Sequence, residues 1–534
     1  MKPLSTGSSS LRCRWLAFAF IIIAICSPRV WVTAASITST HRSYNRSPQS
    51  SFSIPVLSRV QSRIASTLQS AWHGKSAASP SSTKSFKLKK AYHQGMSLYP
   101  GLTAVKSYQD DDDFALTLAS ELPPLKAVRQ VVTRAKDPKA YLRVRGTSLE
   151  GAICASENAL EWEDVEIEAP DTSDRQTLLA LAKMASHAYN NDTSSWEPGY
   201  GGYNLSDSFG WTTDGIRGHI YGNEDNSTIV VAIKGTSPPV LPGGSDTAKR
   251  DKTNDNLLFS CCCARVSWSW STVCDCYAGH GSTCDQTCLE RALVEKSLYY
   301  PATTDLFNNI SYMYPDSQVW ITGHSLGGSL SSLLGMTFGV PTVTFEAPGE
   351  QLAAMRLHLP LPPSKDPEES PVSALPITHV YHNGDPLAMG TCNGAASLCS
   401  SVGYAMESRC HAGKSIVYDT VGKLGWSSSL NSHRINTVVE DLLDEDWDEK
   451  VRKHKGETPE PDPDQDPWLL SSPHGLMLNW FPNAWRWPWS GSRGSKDDPE
   501  EDHLLPVPKK RADHDCVDCT DWRFVDKDES TGDA

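Results

Sequence analysis

The chain has 534 residues, of which 49 are basic and 63 acidic, for a formal net charge of −14. That length leaves room for more than one folded unit, and the acidic balance, with no basic stripe and no nucleic-acid motif, argues against a nucleic-acid partner. The charge is uneven: residues 441–534 carry 24 acidic and 12 basic side chains, which is −12 of the total, so the remainder is nearly neutral.

In chain order, Lys2, Arg12 and Arg14 precede an apolar run at residues 15–26, and Ser27-Pro28-Arg29 interrupts it before residues 30–35. This is a secretory-pathway signal. The first run is short for a membrane span of roughly 20 residues, and Val32-Thr33-Ala34 has the small residues of a cleavage site. Counting through Ala35 gives a marginal span, so the residues leave cleavage and retention both open. Residues 36–169 start as a Ser-, Arg- and Thr-rich stalk and pass through Phe86-Lys87-Leu88-Lys89-Lys90 and the acidic run 110–113 into an accessory region, which is read as a partial cap.

A helix is predicted over residues 174–190, with Ser173 and Gln176 in a capping box and Leu178, Leu181, Ala182, Ala185 and Tyr189 on one face. After it strands and helices alternate, which predicts an α/β fold with a central sheet. The strand at residues 228–233 breaks into Lys234-Gly235-Thr236, and residues 237–289 form an insert with a Pro- and Gly-rich start and seven cysteines between Cys261 and Cys288.

Next comes Gly323-His324-Ser325-Leu326-Gly327, between a short buried strand ending at Thr322 and a helix with Leu326, Leu330, Leu333 and Leu334 on one face. A serine between two glycines at that junction is a nucleophile elbow, because strand and helix pack too closely there for a Cβ. Downstream, the alternating segment 377–382 runs into Asn383-Gly384-Asp385-Pro386, placing Asp385 in the turn at a strand's end, where a triad acid belongs; an ordinary turn aspartate is the rival. Glu346, after the strand 342–345, is the alternative acid. His433 lies on a polar loop from which it can reach Ser325, whereas His379 and His382 lie on the strand itself and His411 sits among cysteines, so each is a poorer base. Donors for an oxyanion are assigned to the Leu326 amide and to Thr236, whose hydroxyl can add to its backbone N–H.

Asn191, Asn204, Asn226 and Asn309 open glycosylation sequons. Apart from Cys13 and Cys26 there are 13 cysteines, odd in number, so at least one is expected to keep a free thiol or pair between chains, and Cys154, isolated in sequence, is the one expected to do so. Cys274-x-Cys276 and Cys516-x-x-Cys519 have zinc-like spacing, but in an oxidising lumen disulfides are the expectation. No metal and no cofactor is expected. Residues 441–534 are read as an acidic, largely disordered tail, and inside it residues 468–490 crowd Trp468, Trp480, Trp485, Trp487 and Trp489 with only Arg486 charged. Such a segment either dips into a lipid surface or docks on the enzyme.

The blocks Val231-Ala232-Ile233-Lys234-Gly235-Thr236 and Ile321-Thr322-Gly323-His324-Ser325-Leu326-Gly327-Gly328, followed by the Asp385 turn and the His433 loop, resemble those of the class 3 lipases over about residues 170–440. More narrowly, the stretch from Asp251 through Cys261-Cys262-Cys263 to Trp268-Ser269-Trp270, the N-terminal anchor, and Cys516-Val517-Asp518-Cys519-Thr520-Asp521-Trp522 resemble the fungal autophagy-related lipases. That resemblance implies an α/β-hydrolase at residues 170–440, with Ser325, Asp385 and His433 as its triad and a movable lid or an inert decoration at 237–289. It also implies an uncleaved signal anchor at 15–35, a cytosolic stretch 1–14, and delivery through multivesicular bodies to the vacuole as a glycosylated type II membrane protein. There the expected partners are the lipid membranes of autophagic and other intravacuolar vesicles, with no obligate protein partner. The competing functions are an esterase or thioesterase on soluble substrates and a non-catalytic, membrane-tethered lipid-binding protein.

Overall fold

The computed structural model describes residues 82–94, 103–157, 160–190, 215–236, 246–266, 271–279, 281–365, 370–457, 505–513 and 515–526. The expected anchor, the stalk up to residue 81, Asn191, Asn204, residues 237–245 and the Trp-rich segment lie outside them. No helix among the described residues is long and apolar enough to cross a membrane.

The described strands are β1 (Ser82–Lys84), β2 (Lys87–Gln94), β3 (Thr103–Ser107), β4 (Leu125–Ala135), β5 (Trp162–Pro170), β6 (Ile216–Gly222), β7 (Thr228–Ile233), β8 (Thr283–Asp285), β9 (Gln318–His324), β10 (Thr342–Phe345), β11 (Ile377–His382), β12 (Lys414–Tyr418) and β13 (Arg523–Val525). Eight form the central sheet in the order β12-β11-β10-β9-β7-β6-β2-β3. From β7 to β12 the pairs are parallel, while β6, β2 and β3 add antiparallel pairs at the other side.

Alternation along the strands makes this a buried sheet. Ile229, Val231 and Ile233 of β7 enter one apolar core together with Ile321 of β9, while Val230, Ala232 and Trp320 enter the other. Successive side chains of a strand point to opposite faces, so a strand covered on both sides must be apolar throughout. The helix Leu326–Phe338 lies in the first core and Arg175–His187 in the second. The latter starts one residue later than a Ser173 box would have it. Asp174 is the cap, its carboxylate accepting from the Thr177 amide at 2.8 Å, and a carboxylate suits the positive end of a helix.

Two boundaries read from the sequence move. Residues 82–107 are not a cap outside the lipase fold, since β2 and β3 extend the central sheet; Phe86 and Leu88 are buried, alternating with the charged Lys87 and Lys89 in strand period. The disordered tail does not begin at 441. Val438, Leu442, Leu443, Trp447 and Val451 continue the second core, and the helix Trp447–Lys455 donates its Trp447 and Asp448 amides to the carbonyls of Pro506 and Leu505. Residues 505–526 are likewise fixed, through the Ser415–Arg511 bridge, β13 against β8, and the disulfides Cys410–Cys516 and Cys261–Cys519. High charge signals disorder only where apolar residues and cross-links are missing.

The insert is oxidised as expected, with Cys262–Cys284, Cys263–Cys274 and Cys276–Cys288 in one knot. Its helix Asp246–Phe259 is tied to the loop before β12: Asn256 Nδ2 donates to Gly403 O at 2.9 Å and its Oδ1 accepts from the Ala405 amide at 2.8 Å. Cys154 is also disulfide-bonded, so it keeps no free thiol. Parity set two cysteines aside, and isolation along the sequence says nothing of proximity in space.

Candidate active site

Parallel strands deliver their chemistry at their carboxyl ends. β7 leads into Thr236 three residues past its end, β9 directly into Ser325 and β11 into the Asp385 turn, and His433 follows β12 on a loop. Ser325 has φ 57° and ψ −132°, an unusual conformation for a residue with a side chain. The glycines either side make it possible. A Cβ on Gly323 would lie 2.4 Å from Gly327 O, and one on Gly327 would lie 2.3 Å from Ile233 O.

The structure brings together the three residues the sequence singled out. His433 Nε2 lies 2.8 Å from Ser325 Oγ and His433 Nδ1 lies 2.7 Å from Asp385 Oδ2. Asp385 is fully buried, and its other oxygen accepts from the Leu387 amide at 2.8 Å. Burial alone would raise its pKa. The charge and hydrogen bond of His433, with the bonds from Glu346 and Leu387, outweigh that and hold it at about 2.

Two further histidines support the loop that carries His433. His324 Nε2 donates to the His433 carbonyl at 2.7 Å while its Nδ1 accepts from Tyr189 Oη at 2.8 Å. His382 Nε2 donates to the Ser432 carbonyl at 3.0 Å, and its Nδ1 accepts from the Gly384 amide at 3.1 Å. Burial, then the neighbouring His433, push His324 down to about 3, and burial lowers His382 as well, so both are neutral donors. Nothing in the sequence marked either role, since His324 is only the variable position of the elbow.

Glu346 is not a spare acid but a companion to Asp385. It is fully buried, and its Oε1 accepts from the His382 amide at 3.2 Å. Burial, the Asp385 charge and a hydrogen bond to Asp385 push it well above the carboxylate range, so it is neutral and donates to Asp385. Glu346→Gln keeps the donor and removes the titration. Because the folded pKa lies above the unfolded value of 4.5, Glu346 contributes stability in full below pH 4.5 that is lost as pH rises towards the folded value. The glutamine variant should therefore gain on wild type by about 1.4 kcal/mol per pH unit over that window. Urea melts at two pH values above 4.5 check this, and a gap that does not change with pH would contradict it.

Thr236 and Leu326 flank the serine. Leu326 opens its helix, so its amide has no partner within the helix. Thr236 Oγ1 lies 2.9 Å from Asp255 Oδ2, and burial together with the Asp251 charge pushes Asp255 well above its usual range. Of the expected glycosylation sites, Asn226 sits half-buried in the β6–β7 turn at φ 54° and Asn309 half-buried on the helix Tyr299–Met313.

The sequence pattern of the family Lipase (class 3) matches residues 270–341, which include the elbow. The lipase ATG15 of Mycosarcoma maydis is 58% identical over 486 residues, covering 88% of this chain and 90% of that protein. The chain belongs to the ATG15 lipases. Another ATG15 lipase, from Cryptococcus neoformans var. neoformans, is 48% identical over 374 residues, covering 68% of this chain and 70% of its own length. The ATG15 lipase of Candida glabrata is 50% identical over 320 residues, 58% of this chain and 61% of that protein.

Proposed function

We propose that the protein is a luminal serine lipase that hydrolyses the acyl esters of membrane phospholipids or acylglycerols. One observation carries this reading: the His433 imidazole bridges Ser325 Oγ and the buried Asp385 carboxylate at 2.8 and 2.7 Å. His433 takes the Ser325 proton as Oγ attacks the ester carbonyl, and Asp385 holds the imidazole and stabilises its cation. The tetrahedral oxyanion accepts hydrogen bonds from the Leu326 amide and from Thr236. Thr236 Oγ1 donates to Asp255 Oδ2 at 2.9 Å, which holds the turn that presents the Thr236 backbone N–H. His433 then returns its proton to the leaving alcohol, and water hydrolyses the acyl-serine by the same route.

The six disulfides among the described residues support an oxidising lumen. With the signal anchor at 15–35 and glycans at Asn191, Asn204, Asn226 and Asn309, the protein enters the endosomal route as a type II membrane protein. It reaches the vacuole through multivesicular bodies and lyses autophagic bodies and other intravacuolar vesicles, in line with the ATG15 name of its relatives. No cofactor takes part in the hydrolysis.

The test is mass spectrometry of the lipids after the purified protein meets vesicles of mixed phospholipid and triacylglycerol. Free fatty acids with matching lysolipids or partial glycerides are expected, and Ser325→Ala should release none. Turnover of a short soluble ester with intact vesicle lipids would favour the esterase, and vesicle lysis retained by Ser325→Ala would favour a non-catalytic role.

A further inference from the structure

We propose that Glu350, His379 and His411 form a buried structural site for a divalent transition-metal ion, zinc by its donor set. Glu350 precedes the helix Gln351–Arg356, His379 lies within β11, and His411 follows Cys410 on the loop entering β12. The three are 0%, 0% and 3% exposed, and one ligand atom from each lies within 4.8 Å of the others. The site is independent of the hydrolytic reading, since none of these residues takes part in the triad.

The outward-facing polar atoms are already occupied. His411 Nε2 donates to the Ala347 carbonyl at 2.9 Å, which fixes its hydrogen there and leaves a lone pair on Nδ1. His379 Nδ1 lies 2.8 Å from Thr344 Oγ1. Glu350 Oε1 accepts from Ser332 Oγ at 2.6 Å and from the Ala412 amide at 3.1 Å. What remains points inward: Glu350 Oε2, His379 Nε2 and His411 Nδ1 are buried and make no hydrogen bond. A buried polar atom without a partner costs about 1–3 kcal/mol, and three on side chains whose ligand atoms lie within 4.8 Å of one another call for a common occupant.

A cation supplies it. Metal-bound histidines hold their second ring nitrogen on a carbonyl or hydroxyl, as both do here. Zinc–nitrogen and zinc–oxygen bonds of about 2.0–2.2 Å put tetrahedral ligand atoms about 3.3–3.5 Å apart, so binding draws the three inward by no more than about 1.5 Å. Two imidazoles with carboxylate suit zinc and exclude the all-oxygen preference of calcium and magnesium. Asp513, whose Oδ2 lies 4.0 Å from His411 Nδ1, would swing in as the fourth ligand. Four protein ligands close the sphere, which makes the site structural. It would join β11, the β10–helix connection and the segment after residue 505, which are the elements beside Asp385 and Glu346.

The rival is a proton. His379 Nε2 is 3.2 Å from Glu350 Oε1, an ion-pair distance if the ring is charged, but a shared proton leaves Glu350 Oε2 and His411 Nδ1 without partners. The other metal-like group among the described residues, Cys263, Cys274 and Cys276, is consumed by disulfides. Spacings of 29 and 32 residues from Glu350 to His379 and from His379 to His411 gave the sequence no ligand signature.

The experiment is elemental analysis of the full chain, secreted into a eukaryotic lumen and purified in detergent. About one zinc per chain is expected after gel filtration. Chelation should lower the melting temperature and zinc restore it, and cobalt(II) loaded in its place should give the intense visible bands of a tetrahedral site. Glu350→Gln and His411→Ala should lose the metal. Should those variants fail to fold, Asp513→Asn, on a side chain 28% exposed, keeps the fold and should release zinc to chelators faster than wild type. Protein that carries no metal, gives no tetrahedral cobalt spectrum and melts at one temperature with or without zinc overturns the proposal in favour of the shared proton.

Discussion

Replacing Ser325 with alanine should lower turnover of a short soluble ester by at least about 10⁴-fold, and His433→Ala should fall to a similar floor. The two act as one unit through the 2.8 Å contact between His433 Nε2 and Ser325 Oγ, so the double variant should be no worse than either single one. Asp385→Ala should lose about 10⁴-fold as well, because His433 Nδ1–H then has no acceptor and the imidazole no fixed tautomer. Glu346 does not take its place, since its partners are Asp385 and the His382 amide. Expression and melting temperature of Ser325→Ala should match wild type, which separates lost chemistry from lost fold. An Asp385→Ala protein with near-wild-type turnover would contradict the assignment and return attention to Glu346.

The second large effect is on stability. Cys261–Cys519 and Cys410–Cys516 close segments with sequence separations of 258 and 106, whereas Cys392–Cys399 closes one of 7. By the chain-entropy account, losing either long bridge should cost about 5 kcal/mol and losing the short one about 2.5 kcal/mol. A domain is stable by only about 5–15 kcal/mol, so the two long bridges together decide whether residues 505–526 stay docked and whether the chain folds. Paired Cys→Ser variants, compared by urea melts, should rank Cys261–Cys519 and Cys410–Cys516 well below Cys392–Cys399. Reductant should likewise inactivate the enzyme. The opposite ranking would mean that the C-terminal segment is held by its β-bridge and packing alone.

The parts of the site that were legible in the sequence are those set by local sterics. Gly323 is required by its contact with Gly327 within the elbow and Gly327 by the close packing of the elbow on the end of β7, and the apolar runs of β7, β9 and β11 are required by burial on both faces. The parts that were not legible depend on pairings made in space. β2 meets β6 across more than 120 residues, and only the alternation of Phe86 and Leu88 with Lys87 and Lys89 hinted at a strand. His324 and His382 work through their second nitrogens on carbonyl groups, which no spacing encodes. Glu346 is neutral only because folding places it against Asp385. Charge counting assigned the tail to disorder, yet Trp447 packs edge-on to Tyr418 at 5.1 Å and two disulfides return the chain to the enzyme.

Ser325 as the nucleophile activated by His433 is checked by covalent labelling with a fluorophosphonate followed by peptide mass spectrometry. A single adduct is expected on the peptide carrying Ser325, formed as hydrolysis stops, absent from Ser325→Ala and slow to form in His433→Ala. Loss of activity with the adduct on another residue, or equal labelling of Ser325→Ala, would contradict it.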